Sequence, residues 1–130
     1  MNILAVGDIV GSSGVKELQK RLPKVKTEYN VDFVIVNGEN AAEGFGITEK
    51  NFKDILSAGA DCVTMGNHTW GKKEIFKFID DPKLIRPANY PKEVCGKGYN
   101  IYKCKDKKIA VINALGRAEI NIMIDNPFEV

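Results

Sequence analysis

At 130 residues, the chain is long enough to form one domain with a hydrophobic core. Its 44% hydrophobic and 28% charged residues exclude a disordered or fibrous protein. The formal net charge of +2 is too small to indicate DNA binding, and no apolar run approaches the roughly 20 residues that cross a bilayer. No signal-peptide pattern precedes the first apolar run, so we expect a cytoplasmic location.

The three cysteines indicate neither a zinc site nor a redox motif, because no C-x-x-C spacing occurs. Cys62 lies in an apolar run and is expected to be buried. Cys95 and Cys104 could lie near each other in space, and we expect both to remain reduced in a cytosolic protein.

Three short apolar runs rich in β-branched residues predict strands at residues 3–6, 33–36 and 62–65. Between the first two strands, apolar residues recur at helical spacing: Val15, Leu18, Leu22 and Val25. Ser12 or Ser13 is predicted to cap this first helix, and Pro23 predicts a kink or an early end.

Two further helices are predicted after the second and third strands. Thr48 is the expected N-cap of the second helix and Gly59 suits the position just after its end. Its buried stripe would be Phe52, Ile55 and Leu56. The third helix is predicted over about residues 72–80, and its inward side chains would be Ile75, Phe76 and Ile79.

The alternation of strands and helices predicts an α/β fold built from βαβ units with a mostly parallel sheet. Residues 86–91 are expected to be irregular, and residues 99–104 and 108–113 to form a C-terminal β-hairpin around residues 105–107. The lysines at the hairpin tip favour a solvated turn over a phosphate site. The last fifteen residues are ambiguous, and we expect residues 1–130 to form a single domain.

Each of the three predicted parallel strands ends in a glycine-containing loop with a polar side chain. Because ligands bind at the carboxyl ends of strands in open α/β sheets, these side chains are expected to converge. They are Asp8, Glu39, Asn40, Asn67 and the single histidine, His68. Polar residues in any one of these loops could simply stabilise a turn, but polar residues after all three strands favour a functional site.

The chemistry of these residues favours metal-assisted hydrolysis. The glycines around Asp8 match a dinucleotide-binding motif poorly, and the carboxylate would repel a pyrophosphate. Carboxylates and amides are hard oxygen ligands for Mg²⁺, Mn²⁺ or iron. In a two-metal site Glu39, on the central loop, would be the bridging ligand, and His68 could protonate the leaving oxygen as a general acid.

Gly7-Asp8, Gly38-Glu39-Asn40 and Gly66-Asn67-His68 resemble the successive motifs of the calcineurin-like metallophosphoesterases. The longer runs Gly-Asp-Ile-Val-Gly, Asn-Gly-Glu-Asn-Ala and Gly-Asn-His-Thr-Trp resemble the YmdB-like branch, which is associated with cleavage of 2′,3′-cyclic nucleotides. The likeness extends from residue 1 to about residue 117.

The resemblance implies half of a metallophosphoesterase-type α/β sandwich and specific roles for the five polar residues. Asp8 and Asn40 would bind the first of two divalent or mixed-valence metal ions, Glu39 would bridge, and Asn67 would bind the second. His68 would be the acid or would orient the phosphate. Val10, where most of the superfamily has histidine, and Glu39, where it has aspartate, are typical of the YmdB-like branch.

Family members are about twice as long, and their second half contributes further histidines to both metal ions. We therefore expect this chain to be the N-terminal part of a longer metallophosphoesterase, whether as a cloned fragment, a split gene product or a proteolytic remnant. Asp125 and Glu129 are weak candidates for the missing ligands. A complementing C-terminal half or a homo-oligomer is the expected partner.

The functional hypothesis is a metal-dependent phosphodiesterase acting on a small phosphodiester or 2′,3′-cyclic nucleotide at a dinuclear centre that this chain leaves incomplete. The alternative is a non-catalytic metal- or nucleotide-binding module with the same fold. A plain nucleotide-binding α/β domain is disfavoured. Phe45 and Trp70 could stack on a base, although ordinary packing is the more frequent role for such residues.

Overall fold

The computed structural model describes residues 1–130. The elements follow in chain order: β1 Ile3–Val6, α1 Gly11–Glu28, β2 Phe33–Asn37, α2 Glu49–Ser57, β3 Cys62–Thr64, a 3₁₀ helix Lys73–Lys77, β4 Leu84–Ile85, β5 Tyr99–Cys104, β6 Lys107–Ile112 and a 3₁₀ helix Pro127–Glu129. No helix is long and apolar enough to cross a membrane.

A four-stranded parallel sheet in the order β1-β2-β3-β4 forms the centre of the molecule. β1 pairs with β2 in the register Ile3 to Phe33, and β2 pairs with β3 in the register Ile35 to Cys62. The predicted α/β fold and the three predicted strands are therefore confirmed. β4 was not predicted, because two residues are too few to show a periodic pattern.

The two faces of the sheet are covered differently. Val34 and Val36 of β2 belong to the larger core cluster, which includes apolar residues of α1 and α2. The alternate residues of β2, Phe33 and Ile35, pack in a second cluster with β5 and β6. The predicted hairpin is thus present as an antiparallel pair, and it covers the sheet face opposite the helices.

α1 differs from its prediction at both ends. Val10 is the N-cap residue, and no side chain caps the helix, so the prediction of Ser12 or Ser13 was wrong. The helix also continues through Pro23 to Glu28. Proline has no N–H, so the Gln19 carbonyl loses its helical hydrogen bond. Pro23 and Gln19 are both exposed, so water can hydrate this carbonyl.

α2 has the predicted boundaries, because the Thr48 hydroxyl accepts a hydrogen bond from the Asn51 N–H and the two residues form a capping box. Gly59 follows the helix with φ +113°, as its predicted position requires.

The third predicted helix is replaced by a shorter 3₁₀ helix, Lys73–Lys77. Side chains recur every three residues in this conformation, so Ile75 and Phe78 share the buried side. Phe76, which was predicted to point inward, is instead 60% exposed and stacks on Trp70.

β1 is an edge strand whose outer side has no partner. Ile3 is 47% exposed there, because the hairpin does not extend over β1. A groove of about 470 Å³ runs between β1 and α1, and apolar side chains dominate its lining: Leu4, Ala5, Val6, Ile9, Leu18, Leu22 and Val25. An apolar surface of the fold is therefore left open along this edge.

The three cysteines are unpaired, in agreement with the expectation of reduced thiols. Cys62 and Cys104 are buried, and Cys95 is exposed. Burial raises the pKa of the Cys62 thiol to about 11, so this thiol stays protonated at neutral pH.

Candidate metal and phosphoester site

The loops that follow β1, β2 and β3 are tied together by backbone hydrogen bonds. The Ile9 N–H donates to the Asn37 carbonyl at 3.1 Å, and the Gly11 N–H donates to the Asn40 carbonyl at 2.9 Å. The Gly38 N–H donates to the Thr64 carbonyl at 3.0 Å. The carboxyl ends of the three strands are thus fixed relative to one another, as the parallel sheet predicts.

A line of hydrogen bonds connects the first loop to the third through Asn40. The Asn40 side-chain amide donates to Asp8 Oδ2 at 2.7 Å, and Asn40 Oδ1 lies 2.5 Å from His68 Nδ1. An ionised carboxylate only accepts hydrogen bonds, so the amide nitrogen must face Asp8 and the amide oxygen must face His68. His68 Nδ1 therefore holds a proton, which leaves Nε2 available for acid–base chemistry.

Glu39 joins this line at His68, and Asn37 and His68 both form hydrogen bonds to it. Its backbone N–H donates to Asn37 Oδ1 at 3.0 Å, and the Asn37 side-chain amide donates to its carboxylate at 3.4 Å. The His68 backbone N–H donates to Glu39 Oε2 at 3.2 Å. A Cβ atom built on Gly66 would overlap both Glu39 carboxylate oxygens, so only glycine at position 66 leaves room for the carboxylate in this position.

The structure thus brings four of the five predicted residues into one hydrogen-bonded cluster: Asp8, Glu39, Asn40 and His68. Asn67 is half-buried between Gly66 and His68 and makes no side-chain hydrogen bond to the others. Asp125 and Glu129, the weak candidates, lie in the C-terminal tail, where Glu129 bonds to Asn126.

Two residues that shape the cluster were missed by the sequence analysis. Asn37 orients Glu39, and Gly66 makes room for the Glu39 carboxylate. Both residues lie within the loops that were singled out, yet turn residues of these types are so common that only the observed side-chain contacts reveal such roles.

The oxygen ligands of this cluster are of the kind that hard divalent cations prefer. They are too few for a dinuclear centre. Neither Asp8 nor Glu39 takes part in an ion pair, so the cluster has negative charge without a compensating cationic side chain. However, no group of three or more His, Cys, Asp and Glu side chains is placed to hold an ion. Two ions would need further ligands besides these residues.

A comparison with known protein families shows the family of this chain. The model of the YmdB-like protein family matches residues 4–130. The chain belongs to this family. The match extends over nearly the whole chain and includes all three strand-end motifs, so the earlier resemblance is confirmed.

Individual relatives agree with the family. The chain is 52% identical over 129 residues to a 2′,3′-cyclic-nucleotide 2′-phosphodiesterase of Bacillus subtilis, and the match covers 98% of this chain and 48% of the relative. A crystal structure of a hypothetical protein from Thermus thermophilus matches with TM-score 0.92 and 32% identity, over 99% of this chain and 50% of that one.

A crystal structure of a phosphatase from Mycoplasma pneumoniae matches with TM-score 0.90 and 32% identity, over 98% of this chain and 47% of that chain. The chain therefore spans about half the length of the curated relatives and solved structures that it matches.

Proposed function

We propose that this chain supplies one half of the active site of a metal-dependent phosphodiesterase that hydrolyses small phosphodiesters, with 2′,3′-cyclic nucleotides as the best candidates. The line of hydrogen bonds from Asp8 through Asn40 to His68, beside Glu39, is the main support. The name of the Bacillus subtilis relative supports the substrate class.

The site residues divide into ligands and an acid. Asp8 and Asn40 would hold one divalent ion, Glu39 would bridge, and Asn67 would hold a second; iron, Mn²⁺ and Mg²⁺ all suit these oxygen atoms. Bound divalent ions supply Lewis acidity to the phosphate oxygens. They would also offset the repulsion between the substrate and the two carboxylates.

His68 would act on the leaving sugar oxygen. Asn40 Oδ1 fixes the imidazole by accepting from Nδ1, so a proton on Nε2 can be directed at the substrate. Hydrolysis of a phosphodiester expels an alkoxide, which is a poor leaving group until it is protonated. A proton donated by His68 Nε2 would lower the barrier at this step.

The remaining ligands would come from a second half. The apolar groove along the open edge of β1 is a surface where such a half could pack and extend the sheet. The twofold length of the relatives supports this arrangement. We expect the partner to be this complementing half rather than a second copy of the chain.

Hydrolysis of adenosine 2′,3′-cyclic phosphate tests the proposal. The chain alone should show little turnover with Mn²⁺, Fe²⁺ or Mg²⁺, and addition of a polypeptide equivalent to the second half of the Bacillus subtilis relative should restore metal-dependent turnover. Hydrolysis that resists EDTA would contradict the metal requirement. A bound, metal-loaded complex without turnover would favour the alternative of a non-catalytic binding module.

A further inference from the structure

Phe45 is an apolar side chain that the core does not use. Its ring is 51% exposed, and the residue packs in neither core cluster. The loop around it is anchored instead by Ala41, Ala42 and Ile47, which are all buried. Packing of the interior therefore does not explain an aromatic ring at this position.

The ring lies directly against the candidate general acid. The Phe45 and His68 ring centroids are 4.7 Å apart, with 52° between the ring planes. Gly71 permits this placement, because a Cβ atom there would lie 2.9 Å from Phe45 Cδ1. One side of the Phe45 ring thus borders the loop that follows β3, beside His68, and much of the remaining surface is exposed to solvent.

The backbone presents this ring in a fixed position. The Gly44 N–H donates to the Asn40 carbonyl at 2.9 Å, and the Gly46 N–H donates to the Glu39 carbonyl at 2.7 Å. Gly44 and Gly46 have φ values of +84° and +80°, which other residues rarely adopt. The segment that supports Phe45 is therefore bonded to the two residues that also provide oxygen ligands.

The other aromatic residues near the site have different surroundings. Trp70 is partly buried, packs against the larger core cluster and contacts the rings of Phe76 and Tyr90. Trp70 is thus a packing residue. Phe45 alone combines contact with His68 and an exposed ring.

We propose that Phe45 is the stacking surface for the base of a nucleotide substrate. This inference rests on the proposed function, since it takes the substrate phosphate to lie at the Asp8, Glu39 and His68 cluster. In a 2′,3′-cyclic nucleotide a single ribose ring separates the phosphate from the base, so a base partner must lie beside the catalytic groups. Stacking accepts any base, because every base has a π-face, so little preference among the four bases follows.

Binding of two ligands that differ only in the base tests this inference. The chain, with Mg²⁺ present, is titrated by NMR with adenosine 2′,3′-cyclic phosphate and with methyl ribofuranoside 2,3-cyclic phosphate, which lacks the base. Base stacking on an aromatic side chain is worth about a tenfold difference in affinity. The wild-type chain should therefore bind the adenosine compound about tenfold more tightly, with the largest shifts at residues 44–46 and at His68.

Phe45→Leu should reduce this preference to about twofold or less, and Phe45→Trp should retain it, while neither changes the affinity for the base-less compound. Phe76→Leu is the matched control, because Phe76 is similarly exposed, at 60% against 51% for Phe45, and contacts Trp70 instead of His68. A preference that survives Phe45→Leu, or that is lost in Phe76→Leu, would overturn the inference while the proposed function stands. Failure of the chain to bind either ligand would also overturn the inference, whereas the proposed function is decided separately by turnover of the complemented chain.

Discussion

Gly66→Ala is expected to lower phosphodiesterase turnover about a hundredfold or more while the fold persists. The added Cβ would occupy the space of both Glu39 carboxylate oxygens, so the carboxylate has to move away from the proposed metal site. The atoms in the way belong to the end of a flexible side chain, so the free energy of unfolding should change by less than about 1 kcal/mol. Turnover of the complemented enzyme and thermal unfolding of the variant measure the two effects.

Two further variants test whether the loss in Gly66→Ala comes from displacement of the Glu39 carboxylate. Glu39→Gln removes the charge of the proposed bridging ligand with little change of volume and should lower activity at least as much. Gly7→Ala is the control: Gly7 lies in the loop after β1 as Gly66 lies in the loop after β3, and its added Cβ would meet nothing within 4 Å. Normal activity in Gly66→Ala, or an equal loss in Gly7→Ala, would contradict the assigned position of the Glu39 carboxylate.

His68→Ala is expected to lower turnover of adenosine 2′,3′-cyclic phosphate about a hundredfold to ten-thousandfold while the metal content is largely preserved. Loss of the imidazole would remove the proposed proton donor for the leaving sugar oxygen. Kinetics of the complemented variant, together with elemental analysis, would measure both quantities.

Substrates with different leaving groups distinguish a general acid from a residue that only orients the phosphate. The nitrophenolate of bis-p-nitrophenyl phosphate leaves without protonation, so His68→Ala should lower turnover of that substrate far less. An equal loss on both substrates would indicate that His68 orients the phosphate, which is the other role that the family resemblance allows. Loss of the metal ions in His68→Ala would refute the general-acid role.

The sequence was sufficient to predict the parallel sheet and the convergence of polar side chains at its carboxyl edge, because both follow from local patterns. The runs that became β1, β2 and β3 are apolar and β-branched, and parallel strands must end at the same edge. The strand pattern alone therefore predicted that Asp8 and His68 lie near each other, without knowledge of any contact.

The errors, and the features that the sequence left open, arose where distant contacts outweighed local patterns. β4 owes its place to pairing with β3, and the hairpin covers the sheet face opposite the helices through contacts far apart in sequence. Phe76 fits a helical stripe, yet the 3₁₀ conformation turns it outward. The pairing of Asn40 with His68, and the space that Gly66 leaves for Glu39, depend on side-chain positions that no spacing encodes.

Metal content, measured by elemental analysis after gel filtration, tests the central claim that this chain provides part of a two-metal phosphodiesterase centre. The chain alone is predicted to retain at most one ion, weakly, because only two carboxylates and two amides are available. The complex with a second half is predicted to retain two ions per active site. Two tightly held ions in the chain alone, or an active complex that retains none, would contradict the account.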